Sequence, residues 1–201
     1  MQQTKKNIKE SISGKNAVLL FTGDKESTLL LNIVEDMNIR IVFIDTGYHF
    51  NEIMSYAEKL SSKIEIIENN NASINYAVDM DKCCTERKAE TLKEYLNNIK
   101  AECLVVPFRD DDTLYGIENS YLKGIDNIEI IRPLADLTER DIWTRIKEHN
   151  LTFSTIYKRG YKFVDCKPCT TRFGRRKQIE EHKDEKIDKE TEEKLKSLGY
   201  L

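Results

Sequence analysis

Short apolar runs alternate with amphipathic stretches along most of the chain. The runs are five or six residues long and rich in Val, Ile and Leu, which is typical of strands buried on both faces of a parallel sheet. They lie at residues 16–21, 39–44, 63–67, 102–106 and 127–131. Between them, apolar residues recur at helical spacing, which predicts helices after residue 22, over residues 51–60 and over residues 85–99.

This repeated order of strand and helix predicts an α/β fold, a doubly wound, mostly parallel sheet with helices on both faces. Towards the end of the pattern, Thr138 is placed to cap a helix that carries Ile142, Trp143 and Ile146 on its apolar face. We find no internal repeat and no linker rich in Gly, Pro or Ser. The prediction is therefore a single domain over residues 1–201, in which 175–201 form a charged C-terminal helix or tail.

Charge and composition narrow the classes of partner. The 201 residues include 32 basic and 35 acidic side chains, and the net charge of −3 provides no general attraction to nucleic acid or to an anionic membrane. No apolar run reaches the roughly 18 residues that a membrane helix needs. The N-terminus also lacks the apolar region of a secretory signal. We therefore expect a cytoplasmic protein that binds neither nucleic acid nor membrane.

The segment after the first strand is a candidate phosphate loop. It reads Phe21-Thr-Gly-Asp-Lys-Glu-Ser-Thr28 and connects a strand to a helix, where backbone N–H groups and the helix dipole favour anions. Its spacing is not that of a Walker P-loop. Two interpretations stay open on the motif alone. One is an ordinary turn with a helix cap at Thr22 or Ser27, and the other is a loop whose phosphate contacts come from Thr22, Gly23, Lys25, Ser27 and Thr28.

Five cysteines mark a second candidate site. In a reducing compartment, clustered cysteines indicate metal binding or catalysis before they indicate disulfides. Four of them form two pairs, Cys83-Cys84 and Cys166-Lys-Pro-Cys169. By themselves, the pairs are compatible with a zinc site, a 4Fe–4S cluster or redox-active thiols. Cys103 leads into an apolar run and is expected to be a buried core residue.

Five motifs, in order along the chain, resemble those of a known family. The loop at 21–28 is similar to a degraded form of Ser-Gly-Gly-Lys-Asp-Ser, and Asp45-Thr-Gly-Tyr-His-Phe-Asn-Glu52 resembles Asp-Thr-Gly-Tyr-x-Phe-x-Glu. Cys83-Cys-Thr-Glu-Arg-Lys88 resembles Cys-Cys-x-x-Arg-Lys. The last two matches are Arg132-Pro-Leu-Ala-Asp-Leu-Thr-Glu-Arg-Asp-Ile-Trp143 and Gly160-Tyr-Lys-Phe-Val-Asp-Cys-Lys-Pro-Cys-Thr170.

The family with these motifs is the phosphoadenylyl-sulfate and adenylyl-sulfate reductases, in their iron–sulfur branch. They belong to the adenine nucleotide α-hydrolase-like, N-type ATP pyrophosphatase superfamily. The resemblance covers about residues 16–172. It implies an adenine sulfonucleotide substrate, bound at the carboxyl ends of the strands, and a 4Fe–4S cluster held by Cys83, Cys84, Cys166 and Cys169.

The same resemblance implies roles for further residues. Lys88 inherits the part of the catalytic lysine, beside both the cluster and the substrate sulfate. Arginines provide planar donors that match sulfate and phosphate. Together with the loop residues above, the candidate substrate-binding set is Asp45, Thr46, Gly47, Arg87, Arg109 and Arg132. Next to this set, Phe50 is expected in the core and His49 at the surface.

Three departures from the family pattern affect the expected chemistry. The nucleophilic cysteine that these reductases carry near their C-terminus has no counterpart after Cys169. The loop contains Asp24 where a glycine is usual and Glu26 where an aspartate is usual; two carboxylates there would repel the substrate unless they point outward or hold a cation such as Mg²⁺. After the fourth strand, only Arg109 remains of an arginine pair, followed by three aspartates.

Three functions are therefore compatible with the sequence. The first is an iron–sulfur reductase that converts adenylyl sulfate, or its 3′-phosphorylated form, to sulfite and AMP or PAP, with the nucleophile or the electrons supplied by thioredoxin, a ferredoxin-like donor or a partner subunit. The second is an ATP-dependent adenylyltransferase or sulfurtransferase of the same superfamily. The third is a non-catalytic subunit that carries the cluster. We favour the first and leave open a homo-oligomeric state.

Overall fold

In the computed structural model, which describes residues 1–69, 75–110 and 117–172, five strands form one sheet in which every neighbouring pair is parallel. The strands are β1 (Ala17–Leu20), β2 (Arg40–Asp45), β3 (Glu65–Glu68), β4 (Cys103–Val105) and β5 (Glu129–Ile131).

Helices connect the strands, as the alternating pattern predicts. The α-helices are α1 (Gln2–Ile12), α2 (Lys25–Ile33), α3 (Asn51–Lys59), α4 (Met80–Cys84), α5 (Thr91–Asn98), α6 (Ile117–Leu122) and α7 (Glu139–Glu148). A π-helical segment, Thr85–Glu90, joins α4 to α5, and two 3₁₀ turns follow α7 at Thr155–Arg159 and Lys167–Cys169.

The strand order β3-β2-β1-β4-β5 confirms the doubly wound α/β prediction. The chain builds one half of the sheet from β1 outward to β3, and then returns to add β4 on the other side of β1. The direction in which successive strands are added to the sheet therefore reverses between β1 and β4. In sheets of this kind, ligands bind at such a reversal, outside the carboxyl ends of the strands.

Side chains of β1 alternate between the two faces of the sheet, so helices cover both faces. Ala17 and Leu19 pack with buried residues of α1, α2 and α7. Val18 and Leu20 pack with a second cluster that includes buried residues of α5. Because all four residues are buried, the strand reads as a continuous apolar run rather than an alternating one.

The predicted elements are present, with differences at their ends. The helix predicted over 85–99 begins earlier, at Met80, and passes through the π-helical segment. Helix α1 was not predicted, because its polar sequence shows only Ile8 and Ile12 as buried positions. The cap at Thr138 is confirmed, and Asp141 completes a capping box with it.

The predictions about membrane helices and about the charged C-terminal segment can be compared only with the described residues. No helix in the described ranges is long and apolar enough to cross a membrane. The charged segment 175–201 lies outside the described residues, as do the second and third aspartates after Arg109.

Phe50 and Cys103 are buried, as expected, and Trp143 packs edge-on against Phe153 and Tyr157.

Candidate active site

Both cysteine pairs reach a single cavity at the carboxyl end of the sheet. Cys83 and Cys84 end helix α4, and Cys166 and Cys169 flank the Lys167–Cys169 turn; all four are buried. The cavity contains about 230 Å³ of empty space, including its opening to solvent. Its lining residues are Thr46, Tyr48, Tyr76, Cys83, Cys84, Arg87, Lys88, Cys166, Pro168 and Cys169.

The π-helical segment supplies the two cations of this cysteine cavity. A π-turn admits one extra residue per turn compared with an α-helix, and such turns occur often at functional sites. Arg87 donates from Nη1 to the carbonyl oxygen of Thr46, at 3.0 Å, and its guanidinium lies 4.6 Å from the centre of the Tyr48 ring. These contacts hold the positive charge of Arg87 at the wall of the cavity.

Lys88 is the more deeply buried of the two cations, with 1% of its surface exposed. Its ammonium group donates to the carboxylate of Asp165, which is also buried, and lies 4.8 Å from the centre of the Tyr121 ring. Burial is the largest single effect and works against the charged ammonium, but the nearby acidic groups, Asp165 first among them, together outweigh it and raise the pKa of Lys88 well above its usual value. Lys88 is therefore a fixed cation at neutral pH.

The loop that follows β2 connects the two cysteine pairs. The Thr46 hydroxyl lies 3.2 Å from Cys166 Sγ, and the Lys167 N–H donates to the carbonyl of Tyr48 at 2.7 Å. Asp45 closes the loop by accepting the Gly47 N–H at 2.8 Å. The carboxyl end of β2 and the second cysteine pair are therefore parts of one structural unit.

Burial governs the ionisation of the thiols. It raises the pKa of Cys83, and it raises the pKa of Cys166 to about 12 against the opposing effect of Lys88. The pKa of Cys169 is raised by its hydrogen bond with Cys84 and by burial. These three thiols therefore keep their protons at neutral pH, so metal binding at the site would release protons.

The donor set of the cavity is four cysteine thiols, which can ligate zinc or an iron–sulfur cluster. In the described part of the chain, no three His, Cys, Asp or Glu side chains are grouped closely enough to hold one metal ion. Cys84 and Cys169 are hydrogen-bonded to each other and would separate to admit a larger group. Four thiols around one cavity, with two cations beside them, fit an anionic cluster whose size keeps its ligands apart.

A second cavity opens beside the loop after β1. It contains about 300 Å³ of empty space, including its opening, and is lined by Thr22, Asp24, His49, Ile53, Tyr121, Val164 and Asp165. We call it the loop cavity. Lys88 lines the cysteine cavity and its partner Asp165 lines the loop cavity, so this ion pair lies in the wall between the two.

His49, expected at the surface, is half-buried. The ring packs 4.8 Å from the centre of the Phe43 ring, and Nε2 lies 3.0 Å from the carbonyl oxygen of Ile44. Burial lowers the pKa of His49, so the imidazole is neutral at neutral pH. His49 is thus part of the wall of the loop cavity.

Many hydrogen bonds of the predicted phosphate loop are formed between residues of the loop itself. Asp24, rather than Thr22 or Ser27, is the N-cap of α2, and its carboxylate accepts the Ser27 N–H at 2.7 Å. The Ser27 and Thr28 hydroxyls both donate to the Asp24 carbonyl, at 3.1 and 2.7 Å. Asp is among the preferred N-cap residues, which explains why the helix begins here.

The predicted cations of this region are also engaged within the protein. Lys25 Nζ donates to the carbonyl of Lys162 at 2.9 Å and lies 3.2 Å from a carboxylate oxygen of Glu26. The same Glu26 oxygen accepts from Arg109 Nε at 3.1 Å, and all three side chains are buried. Arg132, after β5, pairs with Asp110 at 3.1 Å.

The structure thus groups some of the predicted site residues and separates others. The cysteine cavity is lined by the four cysteines with Thr46, Arg87 and Lys88, and the loop cavity is lined by Thr22. The predicted residues that line neither of these two cavities are Gly23, Lys25, Ser27, Thr28, Asp45, Gly47, Arg109 and Arg132. Their contact with substrate stays a prediction.

Several site residues were missed by the sequence analysis. Asp165 had a visible signal, because it is a carboxylate directly before a predicted cysteine ligand. Tyr157, whose hydroxyl accepts the Lys25 N–H at 2.9 Å, and Tyr121 had none, since isolated tyrosines far along the chain are not associated with a site by any motif.

Gly23 allows the chain to turn from β1 into the loop, and we expect its replacement by alanine to be costly. Its φ of +78° disfavours any side chain, and a Cβ atom would lie 2.7 Å from Cγ2 of Ile53. Gly14→Ala is the matched control, because Gly14 has φ +72° and open space around it. We expect chemical denaturation to show a loss of about 1 kcal/mol for Gly14→Ala and about 3 kcal/mol for Gly23→Ala. Equal losses would contradict the role assigned to the Ile53 contact.

Fold and site together define the class of protein. The five-stranded parallel sheet with helices is of the adenine nucleotide α-hydrolase type, and solved structures of that type resemble it. A phosphoadenylyl-sulfate reductase from Candida auris, solved as a phosphate complex, matches with a TM-score of 0.70 at 13% identity, over 84% of this chain and 90% of that one. An NH3-dependent NAD synthetase from Campylobacter jejuni matches with a TM-score of 0.58 at 15% identity, over 98% and 90%.

The family is shown by sequence. The model of the phosphoadenosine phosphosulfate reductase domain matches residues 16–172, and the chain belongs to that family. Curated relatives include an adenosine 5′-phosphosulfate reductase of Geobacillus sp. (strain WCH70), 26% identical over 73% of this chain and 69% of that protein. Another is adenosine 5′-phosphosulfate reductase 2 of Bacillus subtilis (strain 168), 27% identical over 78% and 73%.

Proposed function

We propose that the protein reduces adenylyl sulfate to sulfite and AMP in sulfate assimilation. The observation that carries the proposal is the convergence of four cysteines, Arg87 and Lys88 on one cavity at the carboxyl end of the sheet. Family membership and the names of the relatives support this chemistry, and those names favour adenylyl sulfate over its 3′-phosphorylated form. Reduced thiols are maintained in the cytoplasm, where we place the protein.

We further propose that Cys83, Cys84, Cys166 and Cys169 hold a 4Fe–4S cluster. When bound, the cluster supplies a charged, polarisable group in the cavity and links the two cysteine pairs. Arg87 and Lys88 lie at the same cavity and balance the negative charge of four thiolates. The hydrogen bond between the Thr46 hydroxyl and Cys166 Sγ adds a further contact to a proposed ligand sulfur.

In this proposal the substrate sulfate lies at the open side of the cysteine cavity. Lys88 is the catalytic cation, because it can stabilise the charge on the sulfate and on the departing phosphate. Arg87 and the loop at 45–47 hold the same anion, and Thr22 and Gly23 border the nucleotide. Substrate contacts by Lys25, Ser27, Thr28 or Arg109 would require these residues to leave the internal contacts described above.

The reaction consumes two thiols. A thiolate attacks the sulfate sulfur, the bond from sulfur to the phosphate oxygen breaks, and AMP leaves while a thiosulfonate forms. A second thiol then releases sulfite and closes a disulfide, so that sulfur gains two electrons and two thiols lose them. Cys103 is fully buried in β4, and the other four cysteines are the proposed ligands. We therefore assign the attacking thiol to a partner subunit or to a thioredoxin-like donor.

Anaerobic incubation with adenylyl sulfate and reduced thioredoxin tests the proposal. We expect equal amounts of AMP, measured by chromatography, and sulfite, measured after derivatisation of the released anion. One parallel reaction contains the 3′-phosphorylated substrate in place of adenylyl sulfate. Another contains ATP, and the release of pyrophosphate is measured. Release of pyrophosphate from ATP without sulfite formation would contradict the proposal and support an adenylyltransferase. Arg159→Met is the control variant, since its ion pair with Glu52 lies on the surface.

A further inference from the structure

Helix α2 begins at the position where proteins of this architecture offer an anion site, yet here a carboxylate already fills it. We propose that Asp24 is a specificity-determining residue that excludes terminal phosphoryl groups from the start of α2. The anionic end of the substrate is thereby directed to the cysteine cavity. The inference rests on the proposed function for its substrate, and on the loop contacts for its mechanism.

Backbone N–H groups at the start of α2 already donate hydrogen bonds to other groups of the protein. The Ser27 N–H donates to the Asp24 carboxylate at 2.7 Å, and the Lys25 N–H donates to the hydroxyl of Tyr157 at 2.9 Å. A phosphate binds a helix N-terminus through such N–H groups. A phosphoryl group would therefore have to displace both partners before it could bind.

The side chains that would otherwise bind phosphate are also engaged. The Ser27 and Thr28 hydroxyls donate to the Asp24 carbonyl. Lys25 is buried with its ammonium group close to carboxylates of Glu26 and Glu139, at 3.2 and 3.6 Å. Its charge is therefore compensated before any ligand arrives, and the loop has no uncompensated lysine to attract a polyphosphate.

Charge distinguishes the two cavities. The loop cavity has the carboxylates of Asp24 and Asp165 in its wall, and the second is shared with Lys88. A pyrophosphate group there would meet a like charge in a partly buried setting, which is costly. The cysteine cavity has in its wall the guanidinium of Arg87, together with Lys88, whose charge is compensated by Asp165. The two cavities together therefore favour an anion on the cysteine side and disfavour a phosphoryl chain at α2.

Two substitutions distinguish the effect of the Asp24 charge from the effect of the Asp24 side chain as a whole. Asp24→Asn keeps a side chain that caps helices equally well and removes only the charge. Asp24→Gly removes the whole side chain and frees the Ser27 N–H, with little loss of capping. Asp36→Asn is the matched control, because it removes an exposed carboxylate beyond the opposite end of α2. Thermal unfolding of each variant verifies that it is folded.

Isothermal titration with pyrophosphate, ATP and adenylyl sulfate tests the proposal on the complete chain. We expect Asp24→Asn to bind pyrophosphate and ATP about tenfold more tightly than the unsubstituted protein. Asp24→Gly should bind them at least as tightly, and Asp36→Asn should not differ. The ratio of affinities for ATP and adenylyl sulfate should rise in both Asp24 variants.

Two results would overturn the proposal. One is unchanged pyrophosphate affinity in both Asp24 variants, and the other is an equal gain for adenylyl sulfate and ATP, which would reveal a general charge effect. Failure of the reductase function gives a different pattern. In that case the unsubstituted protein forms no sulfite from adenylyl sulfate, while the Asp24 variants still gain affinity for pyrophosphate.

Discussion

Replacement of any one of Cys83, Cys84, Cys166 and Cys169 by alanine should abolish stable cluster binding. All four thiols line one cavity, and a 4Fe–4S cluster is held by four cysteine thiolates, so removal of one leaves the ligand set incomplete. After anaerobic purification, we expect the unsubstituted protein to contain about four irons and four acid-labile sulfides per chain, with a broad absorption band near about 400 nm. Each alanine variant should lose most of the iron and the colour.

Cys103→Ala is the matched control for these variants. Cys103 is buried in β4 and packs in the core beside Ala17 and Val105, away from the other cysteines. We therefore expect it to retain iron, sulfide and the absorption band. A colourless protein that contains about one zinc per chain would contradict the cluster and support the four-thiolate zinc site that the sequence alone left open. Loss of iron in Cys103→Ala alone would contradict the ligand assignment.

Lys88→Met should strongly destabilise the fold. It would leave the Asp165 carboxylate buried without its ammonium partner, and removal of one member of a buried ion pair costs about 3–5 kcal/mol. For a chain of this size, the expected fall in the melting temperature is about 10 °C. Calorimetry on the anaerobically purified protein measures it.

A double variant distinguishes the buried charge from a simple loss of packing. In Lys88→Met with Asp165→Asn, no charge is left unpaired, so at least half of the lost melting temperature should return. Arg159→Met is the surface control, because its pair with Glu52 is exposed and should be worth about 1 kcal/mol or less. No recovery in the double variant would show that Lys88 stabilises the fold through contacts other than the Asp165 pair.

Sequence reasoning was reliable where local pattern and tertiary structure agree. The five strands are apolar runs because parallel strands between two helical layers are buried on both faces, and this leaves a clear signal. Thr138 was found because a capping box is a local arrangement of side chain and backbone. That the two cysteine pairs share one site was predicted from the family motifs, since no spacing rule relates residues so far apart.

The errors arise where tertiary packing, rather than the local sequence pattern, decides where a side chain lies. His49 is held against Phe43 and Ile44 by the packing of the loop after β2, which composition does not reveal. The motif of the loop after β1 left an ordinary capped turn and a phosphate-binding loop both open. In the folded chain, Tyr157 and Lys162 arrive from residues more than a hundred positions later and engage Lys25. The choice of Asp24 as cap was detectable, because aspartate is a preferred N-cap residue.

The position of the two cysteine pairs in the chain has a consequence for biosynthesis. Residues 85–165, which include β4, β5 and α7, lie between Cys84 and Cys166. The four thiols come together only after this intervening part has joined the sheet and the Lys167 N–H has reached the Tyr48 carbonyl. Contacts between such distant residues form late in folding. Any metal group that the four thiols hold would therefore have to enter a chain that has almost finished folding, and not the nascent polypeptide as the first pair emerges from the ribosome.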